Sequence, residues 1–463
     1  MNIKKNYLCS RIFYLTVVII LSGCATYYTK NLKLNQAIER GQFETANKLL
    51  EKDTKSPKNR NSLIYYLNRG YVSWMLNEQN NSVKYLNKAE DIIDNEQMKL
   101  GLEALALITN PMMKPYRAED FEVVMVNCFK AINFMQINNS EAAMVECRRI
   151  NLKLNQLNDK YPNYKNRYQR DAFANVMMGL LYESNGDINN AFIAYRNAFE
   201  IYESDYASNF DIQAPKQLQS DIIRTAGILG FRDELTFFEK KFGMKYSSVK
   251  KPESEMIFFW MNGMGPVKDE WSVNFTVVKG QAGIVTFVNE GMDISFPFPL
   301  SGSSSESTFS DLKLIRVSFP KYVERRPSSL SAEIKTSNAS YPLERAEDIN
   351  AIAFKTLNDR FMREMANSLL RVATKQALEA ATKKEDKTAG SIISIVNAAT
   401  EKADTRNWQC LPHAISYARI PLTDGDNKLS LNVKMANGKT VTTDVSIQAK
   451  QGKTYFHAFH TLN

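Results

Sequence analysis

The stretch Asp171–Tyr202, DAFANVMMGLLYESNGDINNAFIAYRNAFEIY, decides the fold of the first half of the chain. Apolar residues recur with a helical period on both sides of the polar segment Asn185–Asp187, which predicts two antiparallel helices joined by a short turn. Gly179 and Tyr182 supply a small and a large residue on the first helix, and Ala191 begins the packing face of the second. Small residues at these positions let two helices approach closely, while large ones fill the gaps beside them.

The same helix–turn–helix pattern recurs before and after this stretch. Aligned on their turns, Leu63–Ile93 and Val124–Leu154 form two further units, and Asn31–Lys52 forms an incomplete first unit. A degenerate hairpin over Gln217–Phe242 is expected to close the stack. The units resemble tetratricopeptide repeats (TPRs), and their uneven spacing predicts an extra helix over Glu96–Ile108. Residues 31–248 are therefore predicted to form a TPR-like helical repeat domain.

The pattern changes after Lys250 from helical to extended. Apolar runs rich in β-branched and aromatic residues predict strands, punctuated by Gly-, Pro- and Ser-rich loops, over Met256–Met261, Trp271–Val278, Ile284–Val288 and Leu312–Phe319. Further strands are predicted over Trp408–Asn463, with hairpin turns at Asp424–Asp426 and Asn437–Gly438. Residues 249–345 and 406–463 are thus predicted to be two parts of one β domain.

A helical segment separates the two β parts. Apolar residues recur every four positions from Ile349 to Leu369, and a Lys/Glu-rich break precedes a second helix over Ser391–Lys402. Residues 346–405 are therefore a predicted helical insertion. The predicted fold class is multidomain α+β: an N-terminal TPR-like α-solenoid followed by a β-sandwich-like domain interrupted by a helical hairpin.

The first residues are typical of a secretory address. A basic segment with Lys4, Lys5 and Arg11 precedes a ten-residue apolar stretch that is too short to cross a bilayer, and then Leu21-Ser22-Gly23-Cys24. This order resembles a bacterial lipobox, which implies a signal peptide over residues 1–23, a lipid anchor on Cys24 and a tether over residues 24–30. The alternative is an ordinary signal peptide with an incidental cysteine.

The residue after Cys24 indicates the membrane to which a lipoprotein is sent. By the sorting rule of Gram-negative lipoproteins, Ala25 in place of Asp resembles cargo of the outer membrane, so we expect a lipid-anchored protein on its periplasmic face. The 463-residue chain carries a formal charge of +9, and loss of three basic residues with the signal peptide leaves +6. In a periplasmic protein this mild excess does not indicate a nucleic-acid partner.

Several motifs together resemble one family. They are RAEDFE at 117–122, ECRRIN at 146–151, GLLYE at 179–183, AFIAYR at 191–196, GMGPVK at 263–268, DTRNW at 404–408 and Leu411-Pro412. These segments are similar to those of uncharacterised bacterial TPR-containing outer-membrane lipoproteins. The resemblance implies a lipoprotein with a TPR-like region and a C-terminal β domain, and it implies no activity.

A TPR stack binds partners in the groove lined by the first helix of each unit. The TPR pattern places a mostly apolar set of residues there: Ile64, Leu67, Tyr71, Trp74, Met75, Met125, Ile132, Met135, Val176, Leu180 and Glu183. Aromatic anchors of this kind dominate many binding energies. The alternative is that the same residues are core, buried under the extra helix or the second domain.

Candidate metal and nucleophilic groups are few. Cys410, His413, His457 and His460 have the side chains of a zinc site, but His457 and His460, three apart in a strand, are expected to point to opposite faces. Cys128 and Cys147 lie at similar heights on one hairpin; we expect buried thiols there, with a disulfide as the alternative. The sequence lacks a Gly-rich phosphate loop, a Gly-x-Ser-x-Gly elbow and a His-Glu-x-x-His motif.

These features favour a non-enzymatic, membrane-tethered adaptor that needs no cofactor. The groove is expected to bind an envelope protein while the N-terminal lipid binds the membrane. The alternatives are a module for envelope glycan or polysaccharide, which requires exposed and aligned aromatic residues, and a metal-dependent hydrolase built on the C-terminal His and Cys residues.

Overall fold

The computed structural model describes residues 27–98, 111–160, 168–247, 254–279, 284–299, 314–385 and 402–462. The predicted signal peptide, Cys24, most of the predicted extra helix and nearly all of Ser391–Lys402 lie outside these residues. No helix in these ranges is both long and apolar enough to span a bilayer. The described chain forms helices followed by three four-stranded sheets and a long helix.

The helical part consists of paired antiparallel helices. Its α-helices are α1 Tyr27–Lys30, α2 Leu32–Glu39, α3 Phe43–Lys52, α4 Ser62–Met75, α5 Gln79–Met98, α6 Asp120–Gln136, α7 Ser140–Lys160, α8 Ala172–Ser184, α9 Ile188–Ile201, α10 Ala207–Phe210, α11 Lys216–Leu229 and α12 Arg232–Phe242. A π-helical turn over Tyr202–Tyr206 extends α9. The predicted units therefore correspond to the pairs α4–α5, α6–α7, α8–α9 and α11–α12, and the TPR-like repeat fold is confirmed.

Two glycines show why these helices pack so closely. A Cβ on Gly179 would lie 2.2 Å from the ring of Tyr195, and a Cβ on Gly70 would lie 2.6 Å from the Leu86 side chain. Real Cβ atoms do not make such contacts, so the small residue in each first helix is required by the large residue in the second. The small-and-large pattern read from the sequence is thus a packing rule of this solenoid.

The twelve described strands form three sheets. The strands are β1 Ser254–Asn262, β2 Val267–Lys279, β3 Ile284–Asn289, β4 Ile294–Pro299, β5 Leu314–Val323, β6 Ser329–Lys335, β7 Ser340–Pro342, β8 Glu344–Asp348, β9 Ala414–Leu422, β10 Gly425–Met435, β11 Thr440–Ala449 and β12 Thr454–Thr461. The inner sheet has the order β12-β1-β9-β8, the outer sheet β11-β10-β6-β7 and the third sheet β4-β3-β2-β5. In the inner sheet, β1 runs parallel to β12 and antiparallel to β9.

The inner and outer sheets pack face to face as a β-sandwich. Met256, Phe258 and Trp260 of β1 join one buried cluster with apolar residues of the outer sheet. The alternate residues of β1, such as Phe259, join the core of the helical repeats instead. Because β1 is covered on both faces, its sequence is a continuous apolar run rather than an alternating one.

The third sheet packs against the helical insertion. The helix α13, Ile349–Glu385, places Met365 and Leu369 against Phe275 and Phe319 of that sheet. The first helix of the predicted hairpin is therefore present and runs to Glu385, at the predicted Lys/Glu-rich break. Nearly all of the predicted second helix lies outside the described residues.

Two finer predictions are corrected. The turn at Asp424–Asp426 is not a hairpin, because it connects β9 of the inner sheet to β10 of the outer sheet; Asn437–Gly438 does join two paired strands. The predicted tether 24–30 is also too long. Tyr27–Lys30 is helical, and Tyr27 is buried, with its backbone N–H donating to Thr405 Oγ1 at 3.0 Å.

Candidate functional site

The face of the repeats predicted to be a groove is covered by the protein's own inner sheet. Met75 is half-buried, and the other predicted groove residues are buried: Ile64, Leu67, Tyr71, Trp74, Met125, Ile132, Met135, Val176, Leu180 and Glu183. The expectation of an open groove is therefore wrong for this arrangement, and the buried alternative describes these residues. The physical reason is the second apolar face of the inner sheet, which needs a cover.

Aromatic contacts run across this interface. The rings of Phe173 and Phe259 meet edge to face at 5.8 Å, and those of Phe129 and Trp408 lie 5.5 Å apart. Such pairs add to the stabilisation from buried apolar area. The helical repeats and the β domain consequently share one core.

A buried histidine fixes the same interface. His460 Nε2 lies 2.6 Å from the carbonyl oxygen of Gly263, and its Nδ1 lies 2.8 Å from the hydroxyl of Tyr71. Since a carbonyl can only accept, Nε2 carries the proton and Nδ1 accepts the hydrogen bond from Tyr71. Burial lowers the pKa of His460 to about 4, so the ring is neutral in this role.

Polar residues converge at the start of α6. We define the Glu119 cluster as Tyr116, Glu119, Glu122, Lys268 and Arg360. Lys268 and Arg360 each form an ion pair with Glu119, while Glu122 accepts hydrogen bonds from the Tyr116 hydroxyl and, at 2.9 Å, from the backbone N–H of Glu119. Both carboxylates lie at the first turn of a helix, where the helix dipole favours negative charge.

The two carboxylates of this cluster differ in protonation. Burial alone would raise the pKa of Glu119, but Arg360 and Lys268 outweigh it and lower the pKa to about 2. Burial and the charge of Glu119 raise the pKa of Glu122 to about 7. The cluster therefore contains one permanently charged carboxylate beside one that titrates near neutrality.

Three motifs distant in sequence meet at this cluster. RAEDFE supplies Glu119 and Glu122, GMGPVK supplies Lys268, and DTRNW supplies Trp408, whose backbone N–H donates to Glu122 Oε1 at 2.6 Å. The side chain of Asn407 accepts from the N–H of Lys268 at 3.1 Å and donates to the carbonyl of Pro266 at 2.8 Å. These three motifs thus contribute to the contact between the two domains.

A second ionic group lies at the other end of the inner sheet. We define the Arg419 cluster as Glu183, Asp221, Arg224, Glu255 and Arg419. The Arg419 guanidinium lies 2.8 Å from Glu183, 3.1 Å from Asp221 and 2.7 Å from Glu255. Burial would raise the pKa of Glu183, but Arg419 and Arg224 lower it to about 2.

The sequence did not identify most members of these clusters. Of them, only Glu183 was a candidate, and as a groove residue. A usable signal existed: Arg419 and Glu255 are single charges inside otherwise apolar strands, and a buried charge requires a partner. Which partner it has depends on how the domains pack, and the strand sequence does not contain that information.

The cysteine and histidine candidates are dispersed. Cys128, Cys147 and Cys410 are free, buried thiols, and burial raises the pKa of Cys410 to about 12. His457 packs against Phe258 on the sandwich side of β12 while His460 faces Tyr71, which confirms that they lie on opposite faces. Within the ranges described, no three His, Cys, Asp or Glu side chains are grouped as metal ligands.

A polar cleft of about 280 Å³ opens between α7, α8 and α9. Amide side chains dominate its walls, and the lining residues are Asn151, Asn155, Gln169, Arg170, Asn175, Asn197, Glu200 and Ile201. Arg170 is held by Asp205 in a two-pronged ion pair, with both N–O distances 2.9 Å. The cleft offers hydrogen bonds, and its lining residues include no cysteine, histidine, serine or threonine nucleophile or base.

Comparison with known proteins gives helical-repeat neighbours. No family model matches the chain, and no curated protein matches it. Among solved structures, MamA is 17% identical over 45% of this chain and 91% of that chain, with a TM-score of 0.29. A Rap protein complexed with competence and sporulation factor is 16% identical over 46% and 52%, also at 0.29.

A third neighbour is a putative kinesin light chain with TPR-like repeats from Podospora anserina. It is 13% identical over 50% of this chain and 93% of that chain, with a TM-score of 0.28. At such low sequence identities and TM-scores, these neighbours give no information about what this chain binds. The observed helices and sheets themselves show a TPR-like helical-repeat domain with a β domain docked on its predicted binding face.

Proposed function

We propose that this protein is a non-enzymatic scaffold of the bacterial envelope, anchored by lipid on Cys24 to the periplasmic face of the outer membrane. The basic segment, short apolar stretch and Leu21–Cys24 motif support the anchor. The scaffold binds an envelope protein and requires no cofactor. Its repeats serve first to hold the β domain in a fixed orientation.

The observation that carries this proposal is that the inner sheet of the β domain covers the predicted groove of the repeats. The predicted groove residues are buried against the inner sheet, and ion pairs of the Glu119 cluster and of the Arg419 cluster join the two domains. A partner therefore binds outward surfaces of the repeats or of the β domain. Exposed apolar residues on the outer side of α7, Val145 and Leu152, are 46% and 54% exposed and offer such a surface.

The aromatic residues bear on the glycan alternative. A sugar-binding module needs exposed aromatic rings for stacking, yet the described strands bury Phe258, Trp260, Phe275, Phe319 and Tyr417. The exposed phenylalanines of the described chain, Phe237 and Phe354, lie on helices. This distribution supports a protein adaptor over a glycan-binding module.

The proposal is tested by photocrosslinking in cells that produce the lipidated protein. A photoreactive residue replaces Leu152 on the outer face, Met75 at the rim of the predicted groove, or Gln451 in an exposed loop as a matched control. We expect position 152 to capture one defined envelope protein, because it is accessible, and position 75 to give crosslinks within the chain. Capture of a partner through position 75, with none through 152, would contradict the closed arrangement and restore the groove hypothesis.

A further inference from the structure

The described part of the chain begins at Tyr27, three residues after Cys24, the proposed anchoring residue. Tyr27 is 9% exposed, and its N–H donates to Thr405 Oγ1 at 3.0 Å. Burial is the main cause that raises the pKa of its hydroxyl, as expected for a ring inside the core. Its neighbour Tyr28 donates its hydroxyl to Glu39 Oε1 at 3.0 Å. Tyr27 is thus fixed to Thr405, next to the second β part, and Tyr28 is fixed to α2.

Three peptide steps separate Cys24 from Tyr27. At 3.8 Å between consecutive Cα atoms, they span at most about 11 Å. If Cys24 carries acyl chains, as the proposed function holds, the surface around Tyr27 lies within reach of the lipid headgroups. The body of the protein is then held at the membrane with this surface facing it, because the remaining link is too short to let the molecule turn over.

Several segments meet around Tyr27 through Arg406, the residue after Thr405. The buried Arg406 guanidinium donates to the carbonyls of Arg60 and Pro111, both at 3.2 Å, and of Lys114 at 3.0 Å. The segments that carry Arg60, Pro111 and Lys114 therefore all contact Arg406, whose neighbour Thr405 binds Tyr27. We define the anchor face by exposed residues on them and on α1: Lys30, Lys55, Lys58, Arg60 and Met113.

The acidic residues near this face already have partners. Asp404 is paired with the buried Arg406 at 2.6 Å, and Asp53 accepts the backbone N–H of Ser56 at 2.9 Å. Asp53 keeps its negative charge, because a backbone N–H does not neutralise a carboxylate. The four cations of the anchor face outnumber it, so the net exposed charge of this face is basic. Met113 adds an apolar side chain that is 58% exposed, with Arg60 donating to its sulfur at 3.0 Å.

We infer that the anchor face binds anionic phospholipid headgroups and so fixes the orientation of the scaffold on its membrane. Lysine and arginine close to an anionic surface are attracted within about one Debye length, about 8 Å at physiological ionic strength. An exposed methionine among them inserts at the boundary between headgroups and acyl chains. The acyl chains hold the protein on the membrane, and the basic patch sets which face of the protein lies against it.

The test uses the full lipidated protein reconstituted in vesicles of phosphatidylethanolamine and phosphatidylglycerol that contain a headgroup-linked nitroxide quencher. A fluorescent amino acid replaces Met113 or, as a control, Gln451, an exposed residue in the loop before β12 at the far end of the sandwich. We expect strong quenching at 113 and little at 451. Equal quenching at the two positions in vesicle-bound protein would overturn the inference.

Charge reversal identifies the role of the basic residues. With the fluorophore at 113, K55E combined with K58E, or vesicles without phosphatidylglycerol, should weaken quenching, while K450E combined with K453E should not. Unchanged quenching in the variant with K55E and K58E, or in vesicles without phosphatidylglycerol, would also overturn the inference. The Cys24→Ala variant separates the two proposals: if it still sediments with membranes as Cys9→Ala does, the lipid anchor itself is wrong, whatever the quenching shows.

Discussion

The two ion clusters between the helical repeats and the β domain distribute charge in different ways. In the Arg419 cluster, one arginine contacts three carboxylates at 2.7–3.1 Å, so each acidic residue shares a cation. In the Glu119 cluster, Lys268 and Arg360 both pair with Glu119, whereas Glu122 accepts its hydrogen bonds from uncharged donors. Equal burial thus produces opposite pKa shifts, which shows that placement of cations rather than burial decides how a buried carboxylate behaves.

The largest effect is expected from Arg419→Met. It leaves Glu183, Asp221 and Glu255 buried with Arg224 as the remaining arginine of the cluster, and breaking a buried ion pair by removing one partner costs about 3–5 kcal/mol. Denaturant unfolding at neutral pH measures the loss. Arg326→Ala is the matched control, because its ion pair with Glu324 is exposed and contributes about 0–1 kcal/mol. A loss as small as that of the control would contradict the assigned role of Arg419.

A smaller, pH-dependent effect is expected from Glu122→Gln. The folded pKa of about 7 lies above the ordinary value of 4.5, so the protein binds this proton more tightly when folded. The stabilisation is fully present below pH 4.5 and is lost as pH rises through 7. The difference corresponds to at most about 3 kcal/mol.

The measurement for Glu122 is the melting temperature from pH 5 to 8. Wild type should lose stability toward pH 8, whereas Glu122→Gln, which is neutral at every pH, should lose less. Glu183→Gln in the Arg419 cluster is the comparison: the pKa of Glu183 is about 2, so no proton is exchanged in this range. Parallel pH profiles for wild type and Glu122→Gln would show that the two clusters do not differ in protonation.

The smallest effect is expected at the hydrogen bond between Tyr71 and His460. Tyr71→Phe removes the hydroxyl that donates to His460 while keeping the ring among its aromatic neighbours. Loss of this hydrogen bond costs at least about 1 kcal/mol, because it leaves the buried Nδ1 of His460 without a donor. Tyr28→Phe, which loses a bond to the half-exposed Glu39, should cost less by thermal unfolding. If Tyr28→Phe lowered stability more than Tyr71→Phe, the hydrogen bond between Tyr71 and His460 would not be an important stabilising contact of the interface.

Local structure could be predicted where the spacing of apolar, small and large residues in the sequence matches the way the helix or strand packs. Gly179 with Tyr195 and Gly70 with Leu86 follow the small-and-large pattern of paired helices, and the apolar run of β1 indicates a strand covered on both faces. The turn after β9 was misread, because the same polar residues suit a hairpin and a crossing between sheets. A turn sequence sets the local backbone and does not specify which strand the next one pairs with.

By itself the sequence determined where helical segments give way to strands, the repeat units and the opposite orientations of His457 and His460. Each of these follows from periodicity along a few neighbouring residues. The tertiary structure alone decided that Tyr71, Trp74 and the other predicted groove residues are covered, since an apolar helical face looks the same whether a partner or the protein's own sheet buries it. It also decided which cations stand beside Glu119, Glu122 and Glu183, because those neighbours come from segments far away in the chain.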